Sequence, residues 1–216
     1  MREALELKGV VLKAQPIREF DKRLVILTAE RGRITAFVRG ARRPTSPLLA
    51  STNPFVFGRF SLYEGRDAYT LVGVQTSDFF DGLARHLPGV YYGFYFLELA
   101  AYFVQEGEEA SEIVDLLYVA LKAILREQLP LPLIRRIFEL RLLVMNGIYA
   151  PPDDNVRIDE SARYALAYAA SAPLSRLFSF TLSDEAMAGF ASDVRRQMKR
   201  AADVPFKSLE LIDEGF

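Results

Sequence analysis

No cysteine occurs in these 216 residues, and histidine occurs once, at His86. Without thiols there is no disulfide framework and no thiolate metal centre, and one imidazole leaves only carboxylates to hold a metal. No metal and no cofactor is expected. A histidine-based triad would hang on His86 alone, in "ARHLPG", which reads as a linker. Phosphate-cradling loops of the G-x-x-x-x-G-K-[ST] or G-x-G-x-x-G type are missing as well, so nucleotide hydrolysis has no seat. Asp153 and Asp154 sit in a Pro-rich loop that reads as a solvated turn, and the chain is not expected to be an enzyme. Long apolar runs are scarce. The most lipid-like stretch, "GVYYGFYFLELAAYFV" at 89–104, carries Glu98 and falls short of the roughly 20 residues that span a bilayer, so it reads as a buried helix. Charges at Arg2, Glu3, Glu6 and Lys8 interrupt any signal-peptide core, and the expected location is the cytoplasm.

A single sign of charge is lacking too, with 27 Lys and Arg against 28 Asp and Glu. That balance hides an asymmetry. Residues 1–80 hold 13 cations against 8 anions, and residues 81–216 hold 14 against 20. A basic front joined to an acidic remainder points to an anionic partner at the front. Half of the residues are hydrophobic, with 16 Phe and 10 Tyr, which is ample for packed cores and unlike a disordered chain. The length suits two domains.

Residues 1–80 have β texture. "LELKGVVLKA", "KRLVILTAE", "GRITAFVRG", "FVFGRFSLYEG" and "DAYTLVGVQ" are short runs rich in Val, Ile, Phe, Tyr and Thr, separated by turn signals such as Glu30-Arg31-Gly32. Five such strands predict a small barrel of the oligonucleotide-binding (OB) type, with an SH3-like barrel as the alternative. From about Gly82 the period becomes helical. "SEIVDLLYVALKAILRE" opens at Ser111 as a cap and gathers Ile113, Leu116, Leu117, Ala120, Leu121, Ile124 and Leu125 on one face. "PLIRRIFELRLLVMNG" has Pro132 in its first turn and stops at Gly147. "SARYALAYAASA" and "SDEAMAGFASDVRRQMKRAAD" read as further helices, the last ending in Arg195, Arg196, Lys199 and Arg200, which suit the negative end of a helix. The expected fold class is α+β, mainly α by content. An OB-type domain over 1–80 is followed by an α-helical domain over 81–216.

The chemistry of the front half lies in "RGRITAFVR". Alternation puts Ile34, Ala36 and Val38 on a core face, and Arg33, Thr35, Phe37 and Arg39 on the other. Guanidiniums interleaved with a ring are what a single nucleic-acid strand needs, cations for phosphates and a flat apolar surface for a base. Phe37 packing beneath the helical domain is the structural alternative. Lys22 and Arg23, beside Phe20 and Asp21, form a second cluster. "ARRPTSP" carries the basic edge on through Arg42 and Arg43.

The series "KGVVL", "DKRLVILT", "GRITAFVRGARRPTSPL" and "PFVFGRFSLYEG", followed by "RRIFELRLLVMNGIYA" and "VPFKSLELI", resembles the bacterial recombination mediator family RecO over most of the chain. The resemblance implies an OB barrel followed by a helical domain, with no turnover of covalent bonds. It implies binding of single- and double-stranded DNA and annealing of strands coated by single-strand-binding protein. RecA recombinase would be loaded with the partner RecR, and RecF is a further candidate partner. The family's basic surface maps onto Lys22, Arg23, Arg33, Arg39, Arg42 and Arg43. Its docking site for the tail of single-strand-binding protein maps onto Arg136 and Leu140, with burial as the competing reading of Leu140. Many relatives carry a zinc-binding cysteine cluster after the "LG.Y.P" segment, whereas "NGIYAPPDDNVRIDESARY" has no such ligands. An adaptor whose arginines take acidic polypeptide tails is the competing function.

Overall fold

The computed structural model describes residues 3–153 and 157–214. Asp154 therefore lies outside the described residues. The chain divides into two compact units, one of 1–82 with 97–114, the other of 83–96 with 115–216.

The first unit is built on a closed barrel of β1 (Leu5–Ile17), β2 (Asp21–Thr28), β3 (Gly32–Val38), β4 (Phe57–Glu64) and β5 (Tyr69–Asp78), in the order β1-β2-β3-β5-β4. Closure depends on the 13-residue β1. Its first half pairs with β4 and its second half with β2, and the register breaks between Val11 and Lys13. That bulge lets Val10, Val11 and Leu12 all be buried, against strict alternation. A short parallel contact, Ala36 to Tyr69 and Phe37 to Thr70, joins β3 to β5. With it the barrel has the five-stranded OB arrangement expected from the sequence. Val11, Leu24, Ile26, Ile34, Val38, Phe60 and Leu62 fill the interior. Each large side chain so buried contributes roughly 1.5–3 kcal/mol. Residues 97–114 belong to the same unit, with the amide of Ala110 on the carbonyl of Ala29 and that of Gly107 on Arg31.

The helices are α1 (Leu87–Phe103), α2 (Ser111–Arg126), α3 (Leu131–Met145), α4 (Glu160–Ser171), α5 (Asp184–Ala201) and α6 (Lys207–Asp213). Ser111 is the first helical residue of α2 rather than its cap, and its amide donates to the Glu109 carboxylate. Pro132 sits in the first turn of α3, and Gly147 takes φ +67 just beyond its end. Asp159 and Ser183 cap α4 and α5 by accepting from Ala162 and Ala186. Within the second unit α3 is central. Residues 133–140 are all buried, it packs on α4 and α5, and Phe138 stacks on Phe96 at 4.1 Å. Among the described residues no helix is long and apolar enough to cross a membrane.

Candidate nucleic-acid interface

The basic end of the barrel is assembled from the β1–β2 turn and the long β3–β4 connection. Past Val38 the chain must reverse, and Gly40 supplies φ +64. The Gly40 amide donates to the Asp21 carboxylate at 2.9 Å, and the Arg42 amide to the carbonyl of Phe20 at 2.9 Å. The Arg42 guanidinium reaches back to the Glu19 carbonyl at 3.1 Å, while that of Arg43 lies 5.5 Å from the centre of the Phe20 ring. Short turns carry the connection onward through Ser46, Leu49 and Asn53 to Val56.

Lys22 holds this connection from inside. It is 9% exposed, and its Nζ donates to Thr52 Oγ1 and Asn53 Oδ1, both at 2.9 Å, and to the carbonyls of Leu49 and Thr52 at 3.3 and 3.4 Å. Burial, then the neighbouring Arg42 charge, lowers the pKa of this ammonium. The outward contact expected of Lys22 is corrected to an internal strut, because β2 parity turns it inward with Leu24 and Ile26. Arg33 is likewise engaged within its own unit, donating to the Ala101 carbonyl at 2.6 Å and the Gln105 side chain at 3.3 Å.

The other predicted cations come together. Arg23, Arg39, Arg42 and Arg43 are exposed, and among the described residues none of them is in an ion pair with a carboxylate. Phe37 is 41% exposed, directly across β2–β3 from Arg23. Its ring faces solvent, while Ile34, Ala36 and Val38 are buried as the alternation required.

The helical unit holds a second charged locus. Glu139, fully buried, accepts from Arg135 Nε at 2.8 Å, Arg136 at 2.6 Å and the Tyr95 hydroxyl at 2.7 Å. Burial and then the Glu139 carboxylate push the Tyr95 phenol far above its usual range. Two guanidiniums on one carboxylate leave one positive charge over, and the exposed Asp213 carboxylate, 3.2 Å from Arg135, supplies its formal counter-charge. These side chains line a cavity of about 560 Å³ together with Arg195, Lys199, Val204 and Phe206. Leu140 is fully buried and Arg136 is 6% exposed. A docking role through the Leu140 side chain is therefore corrected to a core role, because that side chain is fully buried in the stretch 133–140, all of which is buried. The sequence did not single out Arg135, Tyr95 or Phe206. His86 packs on Gly89 and lies 3.9 Å from the Glu127 carboxylate, beyond hydrogen-bond reach.

The family models "Recombination protein O N terminal" and "Recombination protein O C terminal" match residues 1–80 and 85–151. The chain belongs to the RecO family. A relative named DNA repair protein RecO in Alkaliphilus metalliredigens is 34% identical over 67% of this chain and 58% of its own length. Others so named are 26% identical over 96% of both chains in Acetivibrio thermocellus, and 34% identical over 65% of this chain in Desulforudis audaxviator. The match spans little more than half the length of the first and third of these RecO relatives.

Proposed function

We propose that this RecO-family protein is a DNA repair and recombination mediator. It binds single- and double-stranded DNA without sequence preference, anneals complementary strands coated by single-strand-binding protein and assists RecA loading with RecR. The observation that carries the reading is the cluster of Arg23 on β2 with Arg39, Arg42 and Arg43 on the connection pinned by Lys22 and Asp21, all four exposed and without carboxylate partners among the described residues. Two strands repel through their phosphates. Several guanidiniums neutralise both and release condensed counterions, so pairing proceeds without a covalent step. Phosphate contacts carry no base information, hence no sequence preference. In the helical unit, the cavity lined by Arg135, Arg136, Arg195, Lys199 and the apolar Phe206 and Val204 supports docking of an acidic, apolar tail such as that of single-strand-binding protein.

The test is Arg39→Glu, Arg42→Glu and Arg43→Glu combined, with labelled oligonucleotides titrated at several salt concentrations. DNA binding and annealing should be lost while the tail peptide still binds. Undiminished DNA binding at moderate salt overturns the reading. If the unaltered protein binds acidic peptides on the barrel but no DNA, it is an adaptor instead.

A further inference from the structure

The basic end explains affinity for phosphates, which single strands and duplexes share, and leaves unexplained an aromatic row on the adjoining outer face. Register places Arg23 opposite Phe37 across β2–β3, Phe37 opposite Thr70 across β3–β5, and Thr70 opposite Tyr63 across β5–β4. All four are exposed, Phe37 at 41% and Tyr63 at 38%, and Val72, two residues along β5 from Thr70, is 46% exposed. A fully paired sheet has no edge to shield here, and isolated exposed rings need no explanation. Two rings and a guanidinium aligned in one cross-strand row form a platform of mixed apolar and cationic character.

We infer that the row Arg23–Phe37–Thr70–Tyr63 is a base-stacking platform that makes the barrel prefer single-stranded DNA over duplex. This rests on the DNA-binding reading above. Neighbouring strands lie about 4.8 Å apart, so Phe37 and Tyr63, two strands distant, are separated by roughly 10 Å. That is about three times the ~3.4 Å rise between stacked bases of one strand. A strand resting on both rings therefore has its bases drawn apart, each free to lay a face on an aromatic ring. In a duplex those faces are covered by neighbouring bases, so only the arginines can engage it. Arg23 at the end of the row and Arg39 beyond Phe37 offer cations to the strand's phosphates. That charge complementarity selects a nucleic acid over an apolar peptide as occupant. Thr70 between the rings leaves space for an intervening nucleotide.

The experiment uses the full chain with Phe37→Leu, Tyr63→Leu and Tyr63→Phe, titrated against an ordinary single strand, the same strand made abasic, and a duplex. Each Leu variant should weaken single-strand binding by about five-fold or more, the loss expected when one stacked base is released. Duplex affinity and the salt slope should stay as they were, and Tyr63→Phe should bind like the unaltered protein. Abasic strand should bind the unaltered protein and both Leu variants alike. The inference is overturned if Tyr63→Leu leaves single-strand binding intact, or if both variants lose single strand and duplex equally. Failure of the DNA-binding reading looks different, with no DNA form bound by any version of the protein.

Discussion

Lys22→Met separates a cation that touches DNA from one that shapes the surface. The substitution keeps the apolar stem and removes the ammonium. Two hydrogen bonds at 2.9 Å, to Thr52 Oγ1 and Asn53 Oδ1, and two longer ones to the carbonyls of Leu49 and Thr52 disappear together. A hydrogen bond to a charged group contributes about 1.5–3 kcal/mol net, so the two short ones account for about 3–6 kcal/mol. Burying an ammonium costs part of that, in the direction of its lowered pKa, and Thr52 Oγ1 keeps its own bond to the Leu48 carbonyl at 2.6 Å. A net loss of about 2–4 kcal/mol in the barrel follows, read as faster amide exchange in β2 and β3 under native conditions. Single-strand affinity should fall because Arg42 and Arg43 sit at the head of a loosened connection, yet the slope of log affinity against log salt should persist. A direct phosphate contact would behave oppositely, lowering the slope by about 0.7 with barrel exchange unchanged. That second pattern refutes the strut.

Glu139→Gln should destabilise the helical unit by about 3–5 kcal/mol, because two guanidiniums remain buried without their carboxylate; a loss below about 1 kcal/mol in denaturant would contradict this. Tyr149 is pushed up to about 12 from its ordinary 10.0, by burial and then by the Asp193 carboxylate. The unfolded chain then releases this proton first, so stability intact below pH 10 declines as pH rises toward 12; Tyr149→Phe should flatten that decline in denaturation midpoints. Gly32→Ala should cost the barrel about 2–4 kcal/mol, since Gly32 has φ +61 and an added Cβ would press on the Gln105 carbonyl; unchanged melting of the first unit would exclude this.

Strand parity is a local property, and it was readable wherever a strand was. The alternation in "RGRITAFVR" sorted Ile34, Ala36 and Val38 from Phe37 and Arg39 correctly because each side chain's face depends only on its neighbours. The same rule, applied to "DKRLVILT", puts Lys22 with Leu24 and Ile26 and Arg23 on the opposite face, so the burial of Lys22 carried a signal that its positive charge obscured. Arg33 is different. Its partner Ala101 is 68 residues away, and no pattern near Arg33 announces that residues 97–114 join the barrel. The Tyr63–Thr70–Phe37 row was equally out of reach, because it requires the order β3-β5-β4, which no single strand encodes. On α3, the resemblance pointed to Arg136 as a docking residue, and nothing in the sequence reading singled out Arg135 or Glu139. The i,i+4 and i,i+3 spacing of these three was the clue that they satisfy one another and leave the helix free to be enclosed.

The use made of Asp21 connects these observations. It stands among four exposed arginines, where an ion pair would be the ordinary outcome, and instead its carboxylate accepts the Gly40 amide. The anion fixes the backbone that presents the guanidiniums without neutralising any of them. Lys22 does the corresponding work at the far end of the connection, a cation spent on carbonyls and side-chain oxygens rather than on solvent. Ordering an 18-residue connection at the moment of binding would be charged against affinity, residue by residue. With the turn already stapled at both ends, that entropy is lost on folding, where the barrel core of Ile26, Ile34 and Phe60 offsets it. On the proposed function, the self-repulsion of arginines left without carboxylates would be relieved when a polyanion binds, and that relief would add to the binding free energy.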